Sequence, residues 1–166
     1  MVTEPFAARS TNRLRLRCVT ADDALATSRL MTPAVSRWLA SWPMPFTLKM
    51  AQQRIADLRE QAYRGDALPF AIVARLNEEL VGWATIVRNE RDRASAALGF
   101  WLGEHHHGKG YMREIAPIVL AAGFATLGVN VIEAGAQIAN AGSFAVMKAC
   151  GMTAVGERMV YAAARR

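Results

Sequence analysis

Hydrophobic residues recur with two different periods in the first half of the chain, which predicts a strand followed by two helices. Apolar and basic positions alternate in Leu14-Arg15-Leu16-Arg17-Cys18-Val19, a pattern typical of a half-buried strand. Thr20 and Thr47 each precede a stretch with apolar residues at helical spacing, and their hydroxyls suit the first position of a helix. The second helix is predicted to end near Gly65, and the prolines of segment 42–46 separate it from the first.

The period changes to two after Pro69, and strands and helices then alternate. Strands are predicted over 70–76, 80–87, 94–102 and 129–138, helices over 109–127 and 141–150, and a terminal hairpin over 152–163. Pro117 lies inside the long helix, where a kink is expected. The order β-α-α-β-β-β-α-β-α-β-β predicts the α/β (α+β) class. We expect a single domain over 1–166 with one mixed, mostly antiparallel sheet of about seven strands, flanked by about four helices.

A polar loop with glycines joins the strand 94–102 to the long helix. Gly108 and Gly110 have no side chain, so they can take positive φ angles and let several backbone N–H groups converge on one point. The start of the helix adds unpaired N–H groups and the positive end of its dipole. Lys109 supplies a mobile cation between the two glycines. The loop therefore predicts an anion site, with an ordinary strand-to-helix turn as the alternative interpretation.

The same loop matches a nucleotide-binding pattern only in part. Gly103, Gly108 and Lys109 are in register with G-x-x-x-x-G-K-[ST], but Gly110 occupies the position of the hydroxyl that binds magnesium. The loop is therefore predicted to cradle a phosphate without magnesium-nucleotide chemistry.

Composition and charge fit one globular domain with an anionic ligand. The chain has 166 residues, of which 52% are hydrophobic and 20% charged, and it carries a net charge of +6. The basic residues are scattered and no run of five occurs, so a nucleic-acid partner is not expected. No apolar run reaches the roughly 20 residues of a membrane span, and the polar N-terminus with Glu4 does not fit a signal peptide. A cytoplasmic protein with no membrane partner is predicted.

The cysteines and histidines lack the spacing of a metal site. Cys18 and Cys150 lie on apolar patterns, which favours buried free thiols in a reducing compartment over a disulfide or a nucleophile. His105, His106 and His107 are consecutive, unlike the i, i+4 pair of a helical metal site. No metal is predicted.

Two motifs in the second half of the chain resemble those of the GNAT N-acetyltransferase superfamily. His105, Gly108 and Gly110 match its (Gln/Arg)-x-x-Gly-x-(Gly/Ala) motif for acetyl-CoA, with histidine at the first position. The stretch 140–152 resembles the Asn-x-x-Ser…Lys-x-x-Gly-Phe pattern of the RimJ/RimL-like (ribosomal-protein-alanine acetyltransferase-like) branch. It departs from that pattern in that Lys148 stands one place early and methionine replaces phenylalanine. The resemblance covers nearly the whole chain.

The resemblance implies transfer of an acetyl group from acetyl-CoA to a primary amine by direct attack in a ternary complex, without a metal. In the family fold the strand before the loop and the next strand splay apart and expose backbone groups to the pantetheine arm, while the loop holds the pyrophosphate. The residues that the resemblance assigns to acetyl-CoA are Trp101, Leu102, His105, His107, Gly108, Lys109, Gly110, Tyr111, Met112, Asn140 and Ser143.

The last predicted helix departs from the usual pattern of the family. Met147 occupies the position of a tyrosine that protonates the leaving thiolate in many members, and methionine has no proton to give. Ser143 is the catalytic substitute that the resemblance implies, and a helix-start serine bonded to backbone is the alternative. Asn140 likewise has two interpretations, a cofactor contact or a helix cap.

The general base is less well defined by the sequence. Family members often carry a glutamate in the strand before the loop, but this strand reads Ala96-Ala97-Leu98-Gly99. An amine with a pKa near 10 must lose a proton before it attacks, and Glu104, Glu133 and His105 remain as acceptors of that proton. Solvated surface charge is the alternative for each of them. Glu104, at the end of the strand, is taken as the candidate catalytic base.

Other functions and several acceptors stay open at this point. The missing tyrosine and glutamate are also compatible with a catalytically idle acyl-CoA-binding module, and the near match to a nucleotide loop with a nucleotide- or nucleic-acid-binding protein. Trp38, Trp42 and Phe46 are candidates for an acceptor pocket, although aromatic residues at such spacing are more often core. Protein N-terminal amines and small-molecule amines both remain as acceptors, and the sequence leaves open whether the chain forms a homodimer.

Overall fold

The computed structural model describes residues 3–157, which contain one six-stranded sheet. Its strands are β1 (Arg9–Ser10), β2 (Leu14–Cys18), β3 (Ala67–Ala74), β4 (Leu80–Arg88), β5 (Ser95–Leu102) and β6 (Val131–Ala134), in that spatial order. All neighbouring strands are antiparallel except β5 and β6, which are parallel. The predicted mixed, mostly antiparallel sheet of an α/β fold is confirmed.

Five α-helices flank the sheet in the described part of the chain. They are α1 (Ala24–Leu30), α2 (Pro33–Ser36), α3 (Leu48–Tyr63), α4 (Tyr111–Ala122) and α5 (Ala141–Ala149). Turns of 3-10 helix precede α1 at Ala21–Asp23 and follow β5 at Glu104–His106, and a π-helical turn at Gly123–Leu127 extends α4. None of the helices within residues 3–157 has the length and apolar character needed to cross a membrane.

Helical structure begins where the two threonines predict it. Thr47 has an extended backbone, and its Oγ1 accepts a hydrogen bond from the Met50 N–H at 3.2 Å. Before α1, the carboxylate of Asp23 accepts a bond from the Thr20 N–H at 2.8 Å and pairs with Arg17 at 2.8 Å. These side-chain acceptors satisfy N–H groups at a helix start, which explains the position of both starts.

Two strands and one short helix, β1, β6 and α2, differ from the prediction. β1 and α2 are absent from the prediction, because two and four residues are too few to show a period. The strand predicted over 129–138 pairs only over Val131–Ala134. Val129 is 4% exposed but lies outside β6, so the apolar run reports burial rather than the extent of strand pairing.

The long helix and the terminal hairpin also differ from their predicted bounds. α4 begins at Tyr111 rather than Lys109, because Gly110 takes a left-handed conformation and ends the loop. Residues 152–157 form no strand, and the rest of the hairpin predicted over 152–163 lies outside the described residues. The described sheet therefore has six strands where about seven were expected.

The sheet separates two hydrophobic cores. On one face Leu16 of β2 packs in a cluster with Ile115 and Val119 of α4, all three fully buried. On the other face Ile55 of α3 packs with Trp83 of β4. Burying side chains of this size stabilises the fold by roughly 1.5–3 kcal/mol each. The alternation predicted for β2 is confirmed, because its leucines are buried and its arginines are only partly so.

Three tryptophans form an aromatic cluster in the core below α1 to α3. The ring centroid of Trp42 lies 5.2 Å from those of both Trp83 and Trp101. Trp83 Nε1 donates to Thr27 Oγ1 at 3.0 Å, whereas Trp101 Nε1 is buried and has no partner among the described residues. Trp42 and Phe46 are 8% and 6% exposed, so the core interpretation is correct for both.

Both cysteines are free thiols. Cys18 is buried, and burial raises its pKa to about 11. Cys150, at the end of α5, is half-buried, and burial raises its pKa as well. A raised pKa leaves little reactive thiolate at neutral pH. The predicted burial is confirmed for Cys18, whereas Cys150 is only half-buried.

Candidate active site

Strands β5 and β6 separate half-way along β5. Their parallel pairing runs from Ser95 opposite Val131 to Leu98 opposite Ala134 and ends there. Beyond this point β5 continues to Leu102 and stays paired with β4, while β6 has ended. A gap therefore opens beside the second half of β5, and its closed end at Leu98 and Ala134 is termed the branch point. The splayed strands expected from the family resemblance are present.

The backbone groups of Phe100 and Leu102 face this gap. In an antiparallel pair, residues alternate between those whose N–H and C=O bond to the partner strand and those whose groups point away from it. The Gly103 N–H donates to Val81 O of β4 at 2.9 Å, so the odd-numbered residues of β5 bond to β4. The even-numbered residues point to the opposite edge, where β6 is paired only as far as Leu98.

Phe100, rather than the predicted Trp101, is therefore the residue that offers its backbone groups to the gap. Trp101 lies opposite Trp83 in the β4 pairing, and its side chain is buried in the aromatic cluster on one face of the sheet. Leu102 lies at the gap and is half-buried. Phe100 is identified because even-numbered residues of β5 turn their backbone groups away from β4. This assignment requires the register between β4 and β5, which no local sequence motif contains.

The glycine loop has the backbone geometry of an anion site. Gly108 and Gly110 have φ angles of 75° and 76°, so the positive φ predicted for both is confirmed. Gly110 is the cap of α4, a helix of 12 residues. Within residues 3–157 the backbone N–H groups of Gly108, Lys109 and Gly110 donate no hydrogen bond. Unpaired donors beside the positive end of a helix dipole favour a negatively charged ligand.

The side chains predicted to bind the cofactor differ in exposure. His105, His107 and Lys109 are exposed, and His107 Nε2 lies 2.9 Å from Leu102 O, which ties the loop to the end of β5. Met112 is 6% exposed and packs in the core beneath α4, so its backbone N–H, rather than its side chain, is the group suited to a ligand at the helix start.

Arg13, just before β2, reaches across to the loop. Its Nη1 donates to Lys109 O at 2.9 Å, its Nε pairs with Glu114 Oε1 at 2.7 Å, and its guanidinium lies 4.6 Å from the Tyr111 ring centroid. Burial would raise the pKa of Glu114, but hydrogen bonds from Thr11 and Arg13 outweigh burial and lower that pKa. No local pattern in the sequence reveals this group, because Arg13 and Glu114 are about a hundred residues apart.

The start of α5 brings Asn140 and Ser143 together. Asn140 Oδ1 accepts a hydrogen bond from the Ser143 N–H at 3.2 Å, so Asn140 is a helix cap. The hydroxyl of Ser143 makes no hydrogen bond to any residue that the structure describes, and the side chain is half-buried. Met147, one turn further along, is 7% exposed. The hydroxyl is therefore available for another role, whereas the Asn140 oxygen is already engaged.

Glu133 lies beside the branch point on the face of the sheet opposite α4. It is the cross-strand partner of Ala97, and cross-strand partners in a sheet share a face. Their chain neighbours Leu98 and Ile132 are buried in the core beneath α4, so Ala97 and Glu133 point away from that core. Ala97, Glu133 and the next residue on this side of β5, Gly99, are all exposed, and these three residues define the open face.

Glu104 lies at the other end of the gap. It is exposed, in the 3-10 turn that follows β5, at the same end as the glycine loop. At about 3.3 Å per residue, Leu98 and Leu102 are themselves roughly 13 Å apart. Glu104 and Glu133 are thus associated with opposite ends of the gap.

Trp38 is the only one of the three aromatic candidates for an acceptor pocket that is not in the core. It is half-buried, and the guanidinium of Arg37 lies 4.5 Å from its ring centroid. Gln137 Nε2 donates to Arg37 O at 2.7 Å, which joins the segment after β6 to the end of α2. This contact brings residues from both halves of the chain together.

Comparison with known proteins identifies the family. Residues 13–153 match the model of the acetyltransferase (GNAT) domain. The chain is 27% identical to the uncharacterized N-acetyltransferase p20 of Bacillus licheniformis over 139 residues, which are 82% of this chain and 77% of the relative.

Solved structures agree with that match. RimJ of Mycobacterium smegmatis in complex with CoA-disulfide is 26% identical, with a TM-score of 0.71 over 81% of this chain and 68% of that one. The ribosomal-protein-S5-alanine acetyltransferase of Vibrio fischeri, at 22% identity, shares the fold with a TM-score of 0.75 over 88% of this chain and 82% of that one. The chain belongs to the GNAT family and is an acetyl-CoA-dependent acetyltransferase.

Proposed function

We propose that the protein transfers the acetyl group of acetyl-CoA to a primary amine by direct attack within a ternary complex. The observation that carries this proposal is the branch point of β5 and β6, joined by the gap to a loop with two left-handed glycines. One end of this arrangement suits an anion, the middle suits an amide-containing chain, and the far end opens to solvent on the face that carries Glu133.

Acetyl-CoA fits the gap in one direction. Its pyrophosphate would bind the N–H groups from Gly108 to Met112, because they are unpaired donors at a helix start. Its pantetheine amides would pair with the backbone groups of Phe100 and with the Leu102 N–H, since the Leu102 carbonyl already lies against His107 Nε2. The arm cannot extend past Leu98, since β5 and β6 are paired there. The thioester would therefore stop at the branch point.

The reaction at the branch point needs positioning more than activation by the protein. The amine nitrogen attacks the thioester carbonyl carbon, and the carbon–sulfur bond of the tetrahedral intermediate then breaks. Coenzyme A supplies the reactive thioester, so the main contribution of the protein is to hold the amine beside it. Two protons must also move, one from the amine and one to the leaving thiolate.

We propose Glu133 rather than Glu104 as the acceptor of the amine proton. Glu133 lies beside the branch point on the open face, opposite Ala97, where β5 has no carboxylate of its own. Glu104 is next to the loop that would hold the phosphates, far from the thioester. A carboxylate at Glu133, acting directly or through one water, is suited both to attract a protonated amine and to take its proton.

We propose Ser143 as the donor of the proton to the leaving thiolate. Its hydroxyl has no partner among residues 3–157, it lies in the first turn of α5, and Met147 has no proton to offer. The alternative interpretation, a serine that caps the helix, is less well supported because Asn140 is the cap.

The acceptor is proposed to be an α-amine of a peptide or a small-molecule amine. Support comes from the resemblance of residues 140–152 to the RimJ/RimL-like (ribosomal-protein-alanine acetyltransferase-like) branch, and from the open face, which is exposed and carries a single carboxylate. An α-amine has a pKa near 8, so a single weak base suffices to deprotonate it.

A screen of amines tests the proposal. Acetyl-CoA is incubated with peptides carrying free N-termini, polyamines, amino acids and aminoglycosides, and free thiol and the mass of each acceptor are measured. Amine acetylation with equal release of thiol is the expected result. Binding of CoA without turnover of any amine would favour an idle acyl-CoA-binding module, and exclusive acetylation of hydroxyls would contradict the choice of amine.

A further inference from the structure

Arg13 holds the central peptide of the glycine loop, and we propose that it is a positioning residue for the pyrophosphate of acetyl-CoA. The inference rests on the proposed cofactor site. It adds to that site a residue from the opposite edge of the sheet, which belongs neither to the loop nor to α4.

The guanidinium of Arg13 contacts three residues in the glycine loop and the first turn of α4. Nη1 donates to Lys109 O at 2.9 Å, and Nε donates to Glu114 Oε1 at 2.7 Å. The same group lies over the Tyr111 ring at 4.6 Å from its centroid. The Arg13 backbone N–H also donates to Glu114 Oε2 at 3.2 Å. With two directed bonds and one stacked ring, the side chain has little freedom to move relative to the loop.

The bond to Lys109 O fixes the direction of an unpaired donor. In a trans peptide the C=O of one residue and the N–H of the next point in opposite directions from the same plane. The C=O of Lys109 points to Arg13, so the N–H of Gly110 points away from it. That N–H donates no hydrogen bond within the described residues. Arg13 thereby keeps the Gly110 N–H turned outward, as a bound anion requires.

The pair with Glu114 adds an electrostatic effect in the same place. Glu114 lies in the first turn of α4, where a carboxylate would repel a phosphate bound at the helix start. Arg13 and the Thr11 hydroxyl both bond to this carboxylate, which holds its charge toward the strand side and offsets it. Loss of Arg13 would therefore release the peptide plane of Lys109 and expose a negative charge beside the phosphates.

Arg15 provides a matched control. It lies two residues along the same segment, forms an ion pair with Glu78, and its side chain is 39% exposed against 42% for Arg13. It has no contact with the loop among the side-chain hydrogen bonds of residues 3–157. Arg15→Gln removes the same charge and a similar ion pair, so it reports the effect of net charge and of losing a surface pair.

The test compares two cofactors that differ only in the phosphate-bearing part. Calorimetry measures CoA binding to the wild type, Arg13→Gln, Arg13→Lys and Arg15→Gln, and turnover is measured with acetyl-CoA and with acetyl-pantetheine. We expect roughly tenfold weaker CoA binding for Arg13→Gln, with a partial loss for Arg13→Lys, which keeps the charge but not the two directed bonds. We expect kcat at saturating acetyl-CoA, and kcat/KM for acetyl-pantetheine, to stay within about twofold of the wild type.

Two outcomes overturn the positioning role. If the wild type and folded Arg13→Gln bind CoA with equal affinity, the contacts of Arg13 form only a surface ion pair with no role in cofactor binding. Equal losses with acetyl-CoA and acetyl-pantetheine would show a general structural defect rather than a defect at the phosphates. A wild type that does not bind CoA would instead contradict the proposed cofactor site, and the two failures are therefore distinguishable.

Discussion

The two ends of the gap beside β5 are built in different ways. The loop end, residues 103–114, combines two left-handed glycines, a helix start and a network of bonds from Arg13. The branch-point end combines small residues, Ala97 and Gly99, with one exposed carboxylate at Glu133 and no ion pair among the described residues. Many directed hydrogen bonds and an ion pair hold the loop end in place. The geometry of the branch-point end is determined mainly by where the pairing of β5 and β6 stops.

This difference separates binding from chemistry. An anion site needs several donors fixed in direction, so backbone conformation and anchoring contacts determine it. A transfer site for an activated thioester needs an open approach and a few groups that move protons. We therefore expect the loop end to control affinity for acetyl-CoA, and the branch-point end to control the rate of transfer and the choice of acceptor. Each of the following experiments acts on one end and leaves the other unchanged.

The largest effect is expected at Gly110. Its φ of 76° is costly for any residue with a Cβ, and most costly for a β-branched one. A Cβ at Gly110 would meet only Arg13 Nη2, at 3.7 Å, so backbone conformation rather than lack of space is the obstacle. Gly110→Val should move the loop out of its left-handed conformation and abolish measurable binding of CoA in calorimetry.

Gly128 separates this effect from a general loss of stability. It has a φ of 67°, nothing lies within 4 Å of its Cβ position, and it lies at the far end of the helix, after the π-helical turn. Gly128→Val should cost a similar roughly 1–3 kcal/mol of backbone strain and still bind CoA normally. If both variants bind equally well, the loop is not the cofactor site.

The second effect, on rate, compares Glu133 with Glu104. Glu133→Gln should lower kcat about a hundredfold, because proton removal from the amine loses its acceptor, while CoA affinity stays the same. Glu104→Gln is the matched control at the loop end and should stay within about twofold in kcat. The reverse result would restore Glu104, the candidate taken from the sequence, and would move the thioester toward the loop.

The third effect is expected at Ser143. Ser143→Ala should lower kcat at least about tenfold, because the thiolate loses its proton donor, and should change CoA affinity little. Helix stability should hardly change, since Asn140 makes the capping bond. A normal kcat with chemistry shown to be rate-limiting would mean that the thiolate leaves unassisted, which its pKa near 8.5 permits.

Asn140→Ala provides the complementary measurement on the same helix. Loss of a cap destabilises a helix by about 1 kcal/mol, so this variant should melt at a lower temperature than Ser143→Ala. The pair distinguishes a residue that holds α5 in place from one that acts on the substrate.

The sequence predicts the loop end better than the branch-point end for a physical reason. The positive φ of Gly108 and Gly110 and the cap at Thr47 depend on neighbours within a few residues, so local patterns contain them. The end of β6 at Ala134 and the orientation of Phe100 depend on which strands are adjacent and in what register. No local pattern in a single chain encodes register, which is why Trp101 takes the place of Phe100 in the prediction.

The same limit explains Arg13 and the missing strand carboxylate. Arg13 and Glu114 each look like ordinary surface charges in sequence, and only the fold brings them within 2.7 Å. Glu133 also looks like an ordinary surface charge in the sequence, and only the pairing of β5 with β6 places it beside Ala97. Glu104, by contrast, is next to a conspicuous motif, so local sequence favours it, whereas the proposal of Glu133 rests on strand pairing.

The smallest expected effect concerns pH and the anchoring of the loop end. Hydrogen bonds from Thr11 and Arg13 lower the pKa of Glu114 below its ordinary value of 4.5 in the folded protein. A group with a depressed folded pKa stabilises the fold above its unfolded pKa, and this contribution is lost as the pH falls through the folded pKa. Because the Arg13 side chain is 42% exposed, solvent screening limits the contribution to less than about 1 kcal/mol.

Arg13→Gln should therefore lower Tm by roughly 2 °C at pH 7 and by less below pH 4, so that its melting temperature falls less steeply with acid than that of the wild type. Glu114→Gln, which removes the titrating carboxyl itself, should flatten the same part of the curve, and the double variant should add little to either change. Parallel curves for the wild type and Arg13→Gln between pH 7 and 3 would mean that Arg13 leaves the Glu114 carboxyl unperturbed. The loop end would then be anchored chiefly by the bond to Lys109 O, and its hold on the phosphates would not depend on the charge of Glu114.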